Sequence, residues 1–289
     1  MRSMTVGLAL AASLLIAAAD VRADGAMTDA QRQAESDALR WITAPGDYAL
    51  ALSHSHIVLP QNYALLVGVD AARYDELWNG VASPNTEAIV FSQADNTIAY
   101  YIFEDSGHVA EDDWSEVDAD DFLAQIRATD EEGNAQRRQA GLPLYYTGDW
   151  HERPHFDAAT KTAYWAFDLR SETDRWMNAT ALRLAREGYH RVIWVGGLDQ
   201  FRTATGSLDA LLAMHDYDAG YRYTDYVEGD RLAGYGIGAL AAAVMGVKLG
   251  KTGLAAILAG ILLFGKKFGI VLVAAIGGIA AWLRRKRRK

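Results

Sequence analysis

The chain has 289 residues, no cysteine and a formal net charge of -9. That length is enough for a full core, and the missing thiols exclude disulfides and thiolate metal sites, so ordinary packing must hold the fold. The charge is uneven: residues 231–289 carry eleven Lys and Arg and no acid, residues 1–23 carry Arg2 and Arg22 against Asp20, and the difference leaves -21 on residues 24–230. So acidic a stretch repels nucleic acid and anionic headgroups, which excludes a DNA or RNA role and makes cationic partners or divalent ions the natural ones.

At the N-terminus Arg2, the apolar residues 6–19 and Val21-Arg22-Ala23 predict a secretory signal peptide, residues 1–23, cut after Ala23. Residues 28–41 place Ala34, Ala38 and Leu39 at helical spacing and run into Pro45-Gly46, which predicts a modest helix. Alternation in residues 47–52, 56–59 and 63–67 predicts three short strands. His54 and His56 would share one strand face, as metal ligands do, but without a third ligand they read as solvated strand residues. Residues 70–79 read as a helix opened by Asp70 and closed at Gly80; residues 87–92 and 97–103 read as a hairpin turning at Asp95-Asn96.

The acidic run from Glu111 to Asp121 invites a calcium reading, but it lacks the glycine and terminal glutamate of a calcium loop in register. Asp118, Asp120 and Asp121 stand before Phe122, Leu123 and Ile126, where carboxylates cap a helix; that helix is expected to run to about residue 138 and stop at Gly141-Leu142-Pro143. His151-Glu152-Arg153-Pro154-His155 matches the zinc-protease pattern His-Glu-x-x-His, which needs a helix to bring both histidines to one face. Pro154 removes an N–H from that turn and forces its neighbour to extend, so the segment is expected to be a strand ending near Asp157.

Several of these residues carry a resemblance: Gly107, Val109, Asp112-Asp113, Asp118, Glu132, Asn134, Arg137, Gly141, Pro143, Gly148, Trp150, Pro154 to Asp157, Trp165-Ala166, Asn178, Arg186, Gly188, Gly220 to Tyr223, Asp225 and Tyr235-Gly236. In them the chain resembles the bacterial uncharacterised membrane-anchored protein family, a domain of unknown function with a signal peptide and a hydrophobic C-terminal anchor. Trp114 departs where that family continues its acidic run, and Ala185 replaces a glycine before Arg186. The resemblance implies topology and location and carries no mechanism.

Residues 164–169, 176–186 and 189–195 are β-favouring with short connections, which predicts three consecutive antiparallel strands with Trp165, Phe167, Trp176, Ile193 and Trp194 in the core. Ser207 would cap a helix over residues 207–215, and Tyr217, Tyr221, Tyr223, Tyr226 and Tyr235 sit where phenol rings could line a membrane interface or belong to a last strand. Three apolar blocks follow, residues 232–247, 252–265 and 268–283, ending on six basic residues. That pattern predicts hydrophobic C-terminal membrane helices over residues 231–289 with a cytoplasmic tail, the last block crossing once, or all three crossing.

The expected fold is therefore α+β, a mainly antiparallel sheet with packed helices over residues 24–230, periplasmic and tethered to the inner membrane. Two functions fit: a binding or assembly module with an envelope protein partner and no cofactor, or a hydrolase using His108 with the carboxylates between Glu111 and Asp121, with or without a metal ion.

Overall fold

The computed structural model describes residues 27–79, 83–139, 144–172, 175–201 and 207–249. Its centre is a seven-stranded antiparallel sheet. The strands are β3 (Tyr63–Val67), β4 (Thr86–Ser92), β5 (Thr97–Glu104), β7 (Tyr146–Asp157), β8 (Thr162–Arg170), β9 (Arg175–Leu184) and β10 (Tyr189–Gly196). Across the sheet they stand in the order β3-β4-β5-β10-β9-β8-β7. Two antiparallel meanders, β3 to β5 and β7 to β10, thus join where β10 pairs with β5. A three-stranded sheet of β1 (Gly46–Leu50), β2 (Ser55–Leu59) and β11 (His215–Tyr217) lies over one face, and β6 (His108–Ala110) pairs in parallel with β12 (Leu232–Gly236). The α+β class and the antiparallel sheet match the expectation.

β10 shows how both faces are used. Val192 and Trp194, fully buried, enter the core beneath β1, β2 and α4 (Leu208–Ala213). On the opposite face Ile193 and Val195 pack on the cluster of α2 (Val69–Asn79), while Tyr189 joins that of α5 (Ile237–Met245). α1 (Asp29–Asp37) starts on a reciprocal capping box between Thr28 and Gln31, and α3 (Ala119–Gln139) joins α5 through Phe122, Ile126 and Ala242.

Most predicted elements recur with shifted ends. Asp70 lies inside the first turn of α2 and binds Arg40 at 2.6 Å rather than capping, because the helix already begins at Val69. The zinc-protease pattern lies on β7, extended, as Pro154 requires. The larger difference concerns residues 232–247, expected to open the membrane anchor. They form β12 and the nine-residue α5, which tuck Ile237, Leu240 and Ala241 against Trp165 and Tyr189. A short helix that is apolar all round suits a core as well as a bilayer, and here its partners are protein. Among the described residues no helix is long and apolar enough to cross a membrane. The fold therefore continues past residue 230 to Leu249; the segment expected to be a signal peptide, Gly80, Gly141 to Pro143 and the two later apolar blocks lie outside the described residues.

Between the two sheets runs a buried polar chain. The register of β4 shifts between Thr86 and Ala88, and this bulge turns Glu87 onto the inter-sheet face. There Glu87 accepts the Leu52 amide at 3.0 Å and meets His190 Nε2 at 2.6 Å. Tyr217 gives its hydroxyl proton to the Arg183 carbonyl at 2.9 Å, so at His190 Nδ1, 2.9 Å away, it can only accept. Nδ1 is thus protonated, and Glu87 and Nε2 share one further proton between them.

That count makes a prediction. The side-chain amide introduced by Glu87→Gln supplies an N–H for Nε2 and an oxygen for the Leu52 amide, so the denaturant midpoint of this variant should stay near that of the parent. Glu87→Leu strands both groups and should cost at least about 3 kcal/mol. Equal damage from both variants would contradict the shared proton.

Candidate functional site

The residues singled out for hydrolysis do not converge. Asp113 accepts the amides of Gly238 and Ala239 at 2.7 and 2.9 Å and so caps α5 from a distant loop. A Cβ at Gly236 or Gly238 would collide with that loop at Asp113, so glycine is what permits the approach. Asp118 accepts the amides of Asp120 and Asp121, opening α3 as expected, and Asp120 pairs with Arg153 at 2.8 Å. His151 meets Asp168 at 3.1 Å, while His155 lies 3.0 Å from the Arg153 carbonyl and packs on Tyr164. His56 pairs with Asp218 and His54 stacks on Tyr221, so those two histidines part company. Among the described residues no three His, Cys, Asp or Glu side chains are grouped to hold a metal.

What does gather is a cluster around β6. Gly107, at φ +89°, lets β6 run against the backbone of Arg231 and Leu232, and His108 donates its amide to the Arg231 carbonyl at 2.7 Å. The His108 ring is stacked between Tyr223 and Tyr226, each centroid 4.2 Å away. Tyr223 donates its hydroxyl to the Val109 carbonyl at 2.9 Å. Lys161, the only lysine of residues 24–230, lies over the Tyr223 ring and binds both oxygens of Glu111 at 2.7 and 3.0 Å. Arg186 grips Asp230 with two bonds, 2.7 and 2.9 Å, and reaches the Gly220 carbonyl. Arg231 pairs with Asp105.

The cluster is thus a column of Lys161, Tyr223, His108 and Tyr226 within a ring of ion pairs. Burial lowers the His108 pKa, with the Arg186 backbone, Asp230 and Glu111 acting the other way, and Nδ1 is buried without a hydrogen-bond partner. Burial, with Glu111 and Asp112, pushes Tyr223 up to about 12. Each of these cations is met by an acid, so the arrangement clamps separate chain segments together.

The tyrosines expected at a membrane interface mostly serve this fold: Tyr217 is buried on His190, and Tyr223 and Tyr226 hold His108. Sequence reading had His108 in hand but missed its partners, because Lys161, Arg186 and Tyr223 come from three separate elements. Their signal was the solitary lysine and the Gly-Tyr-Arg-Tyr run of residues 220–223. A second hub also went unread. Asp168, on β8, takes Arg170 at 2.6 Å, Arg175 at 2.7 Å and the Asp149 amide at 3.0 Å; burial alone would raise its pKa, but these donors hold it well below the usual carboxylate range.

Comparison with known proteins gives one family. The family described as "Protein of unknown function (DUF2167)" matches residues 42–277, most of the chain. No curated protein matches. Among solved structures the chain is similar to the solution structure of cyanobacterial PsbP (CyanoP) from Synechocystis sp. PCC 6803, at 8% identity and a TM-score of 0.36, over 61% of this chain and 94% of that one.

The clamp should be visible in acid. Arg186 and the Val227 amide, against the effect of burial, lower Asp230 to about 2. A carboxylate depressed on folding adds stability that is complete above its unfolded pKa, about 3.9, and is lost as pH falls through the folded value. Asp230→Asn is therefore expected to melt lower than the parent at neutral pH, and the gap should close between about pH 4 and pH 2. Thermal midpoints that differ equally at both ends of that window would show that Asp230 acts through packing instead.

Proposed function

The chain belongs to the DUF2167 family, and we propose that it is a membrane-anchored binding module of the bacterial cell envelope. In this reading residues 1–23 direct export, the acidic domain stands in the periplasm, and the chain beyond Leu249 enters the inner membrane with its basic tail on the cytoplasmic side. The observation that carries the reading is the placement of α5. Asp113 fixes its start, Leu249 is buried beside Phe122 and Ile126 just after its end, and an acid-free stretch with two apolar blocks and six terminal basic residues follows at once. A domain locked to the base of its own tether holds a fixed face toward solvent, which is useful to a module that presents a surface.

The partner the charge favours is cationic, since -21 on residues 24–230 raises the local concentration of positive segments and speeds their encounter. The basic tail contributes in its own compartment, where each Lys or Arg near an anionic leaflet is favoured by about 1 kcal/mol.

Truncation after Leu249 separates tether from domain. The full chain is expected in the membrane fraction, and the shortened one should be soluble, folded and periplasmic. A periplasm-active reporter should give signal when joined after Leu249 and none when joined after Lys289. A truncated chain that still sediments with membranes would show that the tail is not the tether, and a reporter active at both positions would rule out an odd number of crossings by it.

A further inference from the structure

Five of the seven histidines meet at one segment, residues 215–226. His54 stacks on Tyr221, His56 binds Asp218, His108 lies between Tyr223 and Tyr226, His190 holds the Tyr217 hydroxyl, and His215 belongs to the segment itself. The backbone here is held lightly. β11 has three residues and pairs with β2 alone; beyond it, the main chain bonds that of other elements at the Asp218 amide, on His54, and at the Tyr221 carbonyl, on Arg186. The fastening therefore falls largely to side chains, histidines foremost.

His215 is the least provided for. It is 2% exposed between the two sheets, with Nε2 at 3.0 Å from the Ser55 hydroxyl, which lies 2.6 Å from that of Ser53; Nδ1 is buried with no hydrogen-bond partner. Tyr101 of β5, His190 of β10 and Tyr217 surround the ring, their centroids 5.7, 4.5 and 4.9 Å away. Arg183 of β9 donates to the His215 carbonyl, and His56 precedes the register partner of His215 on β2. The acids are engaged elsewhere: Glu87 of β4 is taken by His190 and the Leu52 amide, Asp216 faces Arg183 and Arg222, and Asp47 of β1 and Asp209 of α4 are exposed. Burial, reinforced by His190, Arg183 and His56, holds the His215 pKa well below its ordinary value.

We propose that residues 215–226 form an acid-released strap with His215 as its trigger: when that ring takes a proton, the strap lifts from the two sheets while the seven-stranded sheet stays folded. A charged ring carries two N–H groups and finds one acceptor, the Ser55 hydroxyl, so water alone can satisfy it. Lifting also uncovers Phe103 and Ala185, which pack on Tyr217. The other histidines do not compete for this role. The tyrosine faces enclosing His108 accept a cation, and Asp230 and Glu111 favour its charge. His190 already shares a proton with Glu87, His56 has Asp218 beside it, and His54 is exposed. The strap works independently of the tether.

A histidine held below its ordinary value by the fold adds stability that is complete above about pH 6.5 and is lost as pH falls toward the folded value. Acid therefore opens the strap. The test is hydrogen exchange of the full chain in zwitterionic nanodiscs, read by mass spectrometry as protection factors at about pH 6.5 and pH 5. Peptides covering residues 215–226 should exchange ahead of those of β9 and β10 at both values, and their protection should fall about tenfold over the interval. His215→Gln, whose amide can still bond Ser55, should hold that fall under about threefold. Equal protection in the strap and in β9 and β10, a strap indifferent to pH, or a folded His215→Gln protein with the pH dependence of the parent would each overturn the proposal. Should His215→Gln fail to fold, His215→Asn takes its place, and the exchange of the parent must still show the strap opening in acid ahead of β9 and β10.

Discussion

A wide antiparallel sheet buried on both faces must find two covers, and nearly everything else in this structure answers that demand. β4 and β5 are buried along almost their whole length, so neither has the polar side that a solvent-facing strand would show. One cover is itself a small sheet and a helix, drawn from residues 46–59 and 208–217; the other is helical, assembled from α2 near the start and α3 and α5 later on. Chain segments far apart in sequence are thereby forced together, and the polar groups they carry must be satisfied where they meet. Glu87 with His190 answers this between the sheets, and Asp113 with α5 answers it on the helical side.

Local chemistry was legible in the sequence wherever a residue decides its own backbone. Pro154 kept the zinc-like pattern extended, Ser207 marked a helix start, and Asn96, at φ 58°, marked the turn of a hairpin. Pairings at long range were not legible. β6 and β12 join in parallel across more than a hundred residues, and three residues give β6 no periodicity to read. The apolar block of residues 232–247 was read as membrane because hydrophobicity identifies what must be hidden from water and says nothing of whether lipid or protein hides it.

The site followed the same division. His108 and Asp113 were visible as chemistry, but their partners were set by topology: Tyr223 and Tyr226 reach His108 only because the loop of residues 218–231 returns alongside β6. Glu87 was hidden differently. In a regular strand its side chain would face α2, and the bulge that turns it toward His190 leaves no mark in the residue types around it.

The late position of α5 governs the order in which this chain becomes whole. β12 and α5 are the last described elements, yet they cover β8, β9 and β10 and supply the amides that bind Asp113. During synthesis, at about 5–20 residues per second, the sheet can assemble for some time with Trp165 and Tyr189 bare. Closure depends on contacts of high sequence separation, which form slowly. Until β12 and α5 emerge, the nascent domain displays an apolar sheet face, so its most aggregation-prone period is the interval just before these last elements dock.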